Sequence, residues 1–198
     1  MSAWLDKVEE VGATGATKKI LLSIQESYDE DSLEPHKNIA KCWSEVNLQS
    51  PNNATRGSVF ESLIGLVLLD FGCRPFFRQG QLQLVNNANF DFLLWAKPNS
   101  PITISAKTSL RERYKQADLE SFAIKSVYRR SENFLVTLHS NELEVRLRKM
   151  KSGEEFSSLD QMIAADKPEF DNFVHDLAQK SFDVPQPFDP IKSGLLIG

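Results

Sequence analysis

The strongest pattern in the chain lies between Phe60 and Phe71. Phe60, Leu63, Ile64, Val67, Leu68 and Phe71 recur at i, i+3, i+4, i+7, i+8 and i+11, the spacing of one apolar helix face. Ser58 is placed to cap that helix and Gly72 to end it. Upstream, Ile20, Leu21, Ile24 and Tyr28 predict a helix over residues 16–28, and a shorter one is expected over Lys37–Val46. The acidic stretch 29–35 and the turn formers SPNNATRG at 50–57 read as loops. Past Gly72 the pattern changes to short strand-like runs: Gln81–Val85, Phe90–Trp95 and Ile102–Ala106, separated by Asn86-Asn87 and by Pro98 to Pro101. Ser109 to about Arg130 reads as a helix, with Leu110, Tyr114, Ala117, Ile124 and either Val127 or Tyr128 inward. Phe134–Leu138 and Leu143–Leu147 alternate like strands, and short helices are expected near Ser158–Ala165 and Pro168–Ser181. This order predicts an α/β fold with a central mixed sheet flanked by helices.

Length and composition narrow the class. At 198 residues, with 41% hydrophobic and 25% charged residues, the chain fits one folded domain. Within it, residues 1–50 form a candidate N-terminal helical subregion, 58–150 the main core and 183–198 a proline-containing C-terminal arm. The net charge of −4 excludes a protein that coats nucleic acid by bulk charge. The distribution is uneven, however. Residues 1–50 carry five Lys against nine Asp/Glu, whereas residues 105–130 carry seven Lys/Arg against three Asp/Glu. A polyanion is therefore expected to meet the middle of the chain.

Two cysteines, Cys42 and Cys73, cannot build a disulfide framework or a Cys-rich zinc site. The longest apolar run, Leu63 to Phe71, is about half of the ~18 residues that a membrane span needs. The acidic start MSAWLDKVEE lacks an apolar signal core. The expectation is a reduced, intracellular, cytoplasmic protein with no membrane partner.

Candidate chemistry concentrates between Phe90 and Glu120. Side chains alternate faces along a strand, so Thr103, Ser105 and Lys107 share one face, and Asp91, Leu93 and Trp95 share one. A carboxylate inside the apolar run NFDFLLW needs a partner, because burying it bare is costly. Lys107 or a metal ion would serve. An Asp and a Lys on paired strands suit phosphodiester chemistry: the carboxylate holds Mg²⁺ through hard oxygens, and the Lys orients the nucleophile or stabilises charge on the reacting phosphate.

These residues resemble the PD-(D/E)XK nuclease motif in a variant form. Asn89-Phe90-Asp91 supplies the Asp without the Pro, and Ser105-Ala106-Lys107 has Ser where the motif has an acid. The departures match the pattern of type II restriction endonucleases of the CCGG/CCNGG group, in which Ser-x-Lys is followed by Glu after twelve residues. Twelve residues separate Lys107 from Glu120. In that group an Arg-(Asp/Glu)-Arg triplet follows the Lys; here it is Arg111-Glu112-Arg113. Arg can pair with guanine O6 and N7, and Glu can accept from cytosine N4.

The resemblance implies a restriction-endonuclease-like core and a Mg²⁺-dependent, site-specific endonuclease cutting double-stranded DNA at CCGG, CCNGG or CCWGG. It makes Asp91, Lys107, Glu120 and Glu61 the catalytic set and Asp91 and Glu120 the metal ligands. Arg111, Glu112, Arg113 and Lys115 become the DNA contacts. It also implies a homodimer on a palindromic target, no nucleotide cofactor, and a prokaryotic restriction-modification setting. The alternatives are a repair or mobile-element nuclease of looser specificity, and a catalytically inactive DNA-binding module on the same fold.

Other features carry less. His36, His139 and His175 lack zinc-ligand spacing. Gly57, Gly65 and Gly72 do not form a phosphate loop. Phe76, Phe77 and Phe122 are expected in the core, and Arg56, Arg74, Arg78 and Lys97 have no telling spacing.

Overall fold

The structure is a computed structural model describing residues 3–85, 88–96, 100–110, 113–155, 157–185 and 191–198. In chain order its helices are α1 (Ala3–Glu10), α2 (Gly15–Ser23), α3 (Pro35–Leu48), α4 (Asn53–Asp70), α5 (Arg113–Val127), α6 (Ser140–Ser152) and α7 (Pro168–Ala178). Its strands are β1 (Phe76–Leu82), β2 (Phe90–Ala96), β3 (Ser100–Lys107), β4 (Glu132–Thr137), β5 (Gln161–Ala164) and β6 (Ile191–Ile197). Two compact units result: Met1–Cys73 with Ala165–Gln179, and Arg74–Ala164 with Lys180–Gly198.

The first unit is helical. Trp4 and Val8, one turn apart on α1, are buried, and the Trp4 indole donates to the Leu21 carbonyl at 3.1 Å. Pro35 opens α3 at a position that needs no N–H donor, and Asp171 on α7 accepts from the His36 backbone amide there at 2.8 Å. Helix α4 is apolar nearly all round and correspondingly buried. It starts earlier than its periodicity predicts. Asn52, not Ser58, is the N-cap, its side chain accepting from the Thr55 amide at 2.9 Å. The turn formers of 50–57 thus supply a cap and a first helical turn in place of a full loop. Gly72 ends the helix with a φ of 68°. Asp70, at the last turn of α4, accepts from Tyr28 at 2.8 Å and from Lys7 at 2.7 Å.

The second unit is built on a six-stranded sheet of order β5-β4-β3-β2-β1-β6. β3, β4 and β5 are parallel, while β2, β1 and β6 add antiparallel pairings. The expected mixed sheet with flanking helices is therefore present. Leu93 pairs with Thr103, Ser105 with Leu135, and Leu135 with Met162, so these residues share one face. Helices α5 and α6 cover it. Ile124 of α5 packs with Leu93 and Trp95, and Ala117 of α5 and Leu143 of α6 pack with Leu135 and Met162.

Several local expectations are corrected here. Leu143–Leu147 is helical, because Leu143, Leu147 and Met150 also fit i, i+4, i+7 and all pack into one cluster, leaving Val145 45% exposed. Within 158–165, Gln161–Ala164 is strand, paired beside β4; a short apolar run has no decisive period. The expected strand at 81–85 lies instead at Phe76–Leu82. The C-terminal arm ends in β6, which pairs with β1. Phe76 and Phe77 are core residues as expected, but Phe122 is 67% exposed on the outer side of α5.

Candidate active site

Asp91 and Lys107 reach the α5 side of the sheet by strand alternation. Asp91 lies two residues before Leu93 on β2, and Lys107 lies two residues after Ser105 on β3. Phe92 pairs with Ile104, so the antiparallel register puts Asp91 opposite Ser105. The Asp91 carboxylate is 6% exposed and well supplied with donors. Its Oδ2 accepts from the Ala106 backbone amide at 2.8 Å and from Lys107 Nζ at 2.7 Å. Its Oδ1 accepts a longer bond, 3.3 Å, from the side-chain amide of Gln79. The buried charge thus has the cationic partner that burial demands.

Glu120 arrives from the helix. Ala117, Glu120, Ser121 and Ile124 form the buried stripe of α5, so Glu120 lies on the core-facing side and not among the surface lysines. Three ties hold the helix in that rotation. The Ser121 hydroxyl donates to the Ser158 carbonyl at 2.6 Å, the Arg146 guanidinium covers the Tyr114 ring at 4.0 Å, and just before the helix the Leu110 amide donates to Glu142 of α6 at 3.0 Å. Glu120 Oε1 accepts from Gln116 at 2.9 Å. Its Oε2 is buried with no hydrogen-bond partner. Burial pushes the carboxyl above the usual carboxylate range. The Gln116 amide and the Lys107 ammonium work against that rise, and the Asp91 carboxylate adds to it. Glu120 therefore shares an electrostatic environment with both strand residues.

A buried carboxylate with an unsatisfied oxygen, raised further by the field of a second carboxylate, is an electrostatic deficit. A hard divalent cation would meet it, and the donors are the oxygens such a cation takes. The donor types of Asp91 and Glu120 are therefore compatible with Mg²⁺. Among the described residues no group of three or more His, Cys, Asp or Glu side chains gathers as a richer cage.

The other expected site residues are distributed as follows. Ser105 is buried at 5% exposure beside the site, so the position where an acid is usual carries a short hydroxyl. Arg113 opens α5 and is exposed, as is Lys115. Arg111 and Glu112 lie outside the described residues. Glu61 is half-buried on α4, in the first unit. Three polar side chains at the site were not anticipated: Gln79, Asn89, which donates to Gln79 Oε1, and Gln116. Gln116 precedes Glu120 by four residues on a helix, a spacing that lets the two pair. Gln79 had no comparable signal, since its strand was expected five residues further on.

No protein-family model matches the sequence, and no curated protein matches it. Among the described residues no helix is long and apolar enough to cross a membrane.

Proposed function

We propose that the protein is a Mg²⁺-dependent endonuclease that hydrolyses phosphodiesters of double-stranded DNA. The observation that carries this reading is the Asp91–Lys107 pair with the orphaned Glu120 oxygen beside it. Two carboxylates that can take a metal, with a lysine beside the reacting phosphate, suit metal-assisted phosphoryl chemistry.

Asp91 and Glu120 would hold the cation. Bound there, Mg²⁺ supplies Lewis-acid polarisation of a phosphoryl oxygen. Lys107, held beside Asp91 Oδ2, places its ammonium where negative charge grows on the phosphate. Water adds to phosphorus, the bond to the leaving sugar oxygen breaks, and that oxygen takes up a proton. A phosphomonoester and a hydroxyl result. Ser105 packs beneath the site without the charge that would compete with Glu120.

Site specificity rests on Arg111-Glu112-Arg113, which in this reading meet CC/GG base edges in the major groove. A palindromic target then calls for two copies of the chain. Digestion of a plasmid of known sequence tests this. Discrete Mg²⁺-dependent fragments whose ends share a CC/GG core are expected. A smear indicates a nuclease of looser specificity. DNA binding without cutting in Mg²⁺ overturns the catalytic reading.

A further inference from the structure

Gln79 has a backbone conformation that its residue type disfavours. Its φ is 51°, in the left-handed region where a Cβ is costly and glycine is at ease. It falls where the pairing of β1 with β6 slips register, between Arg78 and Gln81. A bulge of this kind commonly has glycine at its left-handed position, and bulges beside functional sites re-aim a side chain. Glycine is available nearby: Gly80 follows directly, and on β6 Gly194, with a φ of 153°, lies so close that an added Cβ would sit 3.1 Å from the Gly80 Cα. The strained position itself nevertheless carries a glutamine.

The bulge aims that glutamine at Asp91. Arg78 pairs with Phe92 and Gly80 with Phe90, so Gln79 stands opposite Asp91 in the register. Its side chain donates to Asp91 Oδ1 at 3.3 Å and accepts from the Asn89 side chain. Asp91 Oδ2 already has two donors. Oδ1 is then the oxygen with room for a cation, and it is the oxygen that Gln79 holds. One chain of contacts, Asp91–Gln79–Asn89, braces the first carboxylate.

We infer that Gln79 is a positioning residue of the cation site, fixing Asp91 Oδ1 while Asn89 holds the Gln79 amide in place. The strained backbone at Gln79 is retained because its amide serves the site. This inference rests on the metal-dependent reading above. Its consequence is an opposition between stability and cation affinity. Gln79→Gly relaxes the backbone while removing the amide.

The test measures the rise in melting temperature of wild type, Gln79→Gly, Gln79→Asn and Asp91→Ala with increasing Ca²⁺, starting in EDTA. For Gln79→Gly, a melting temperature in EDTA equal to or above wild type is expected. Its apparent Ca²⁺ constant should weaken about tenfold or more, as when a group supporting a metal ligand is lost. Gln79→Asn tolerates the left-handed backbone and should recover part of the affinity. Asp91→Ala should lose the Ca²⁺ response. If Gln79→Gly binds Ca²⁺ like wild type while Asp91→Ala does not, the inference falls and the metal-dependent reading stands. If wild type shows no Ca²⁺ response, or Asp91→Ala keeps it, both fall.

Discussion

Lys107 Nζ lies 2.7 Å from Asp91 Oδ2, an oxygen that also takes the Ala106 backbone amide. The lysine is thus clamped at the end of β3 by a residue of the neighbouring strand. A solvated strand-end lysine would have no such fixed position. The pair satisfies the buried Asp91 charge, and it also holds a point charge in the fixed position that the proposed chemistry needs.

Lys107→Ala should therefore separate cutting from binding. Removing one preorganised charge-stabilising group costs roughly 10²–10³ in rate, so cleavage in Mg²⁺ should fall at least that far. Affinity for cognate duplex in Ca²⁺, read by gel shift, should change little. Near wild-type cleavage by the purified variant would show that Lys107 is not at the reacting phosphate.

Glu120 predicts a pH effect in the metal-free protein. Burial raises its carboxyl in the folded state. The native protein then holds that proton more tightly than the unfolded chain. This stabilisation is present below the unfolded carboxylate pKa and is lost as pH rises through the higher folded value. Glu120→Gln keeps the shape and removes the charge. In EDTA its melting temperature should exceed that of wild type at neutral pH, and the gap should close in acid. Each ~1 kcal/mol corresponds to roughly 2–4 °C for a chain of this size. A constant gap across the range, measured by scanning calorimetry, would contradict the buried-charge account.

Recognition is a separate prediction. Arg111→Ala and Glu112→Ala should each weaken binding to a cognate CC/GG duplex by about tenfold to a hundredfold, the worth of a bidentate base contact at ~1–3 kcal/mol. Nonspecific binding should hold nearly constant. Gel-shift titration in Ca²⁺ against CCGG, CCNGG and scrambled duplexes checks this. A uniform loss on all three duplexes, with a shallower salt dependence, would instead make these residues phosphate contacts.

The thiols give a check on packing. Burial pushes both Cys42 and Cys73 up to about 12. Since the thiolate is the reactive form, neither should be alkylated by iodoacetamide at mildly alkaline pH until the chain is unfolded in urea. Rapid labelling of the native protein would show that α3 or the end of α4 is not packed as described.

What the sequence made legible follows from how local each signal is. The Asp91 and Lys107 faces could be assigned because alternation is a property of one strand, and the twelve-residue interval to Glu120 could be counted. The inward rotation of Glu120 is legible in retrospect from Ala117, Ser121 and Ile124, which share its stripe. Long-range pairing was not legible. β6 is a strand because β1 offers it an edge, and β5 because β4 does; neither run has a period of its own strong enough to decide. The Leu143–Leu147 run fits both periods, and packing of Leu143, Leu147 and Met150 settles it as helix. Gln79 was missed for the same reason: its role depends on a bulge set by β6, more than a hundred residues away in sequence.

The central claim is that the second carboxylate of the site comes from α5, not from the strand position next to Lys107. The most direct measurement is the single-turnover cleavage rate of a plasmid in Mg²⁺ by wild type, Glu120→Ala and Ser105→Ala, each first shown to be folded. The account predicts Mg²⁺-dependent cutting by wild type, a loss of about a hundredfold or more for Glu120→Ala, and a rate for Ser105→Ala within a few-fold of wild type. An active Glu120→Ala beside an inactive Ser105→Ala, or a wild-type protein that leaves DNA intact in Mg²⁺, would contradict it.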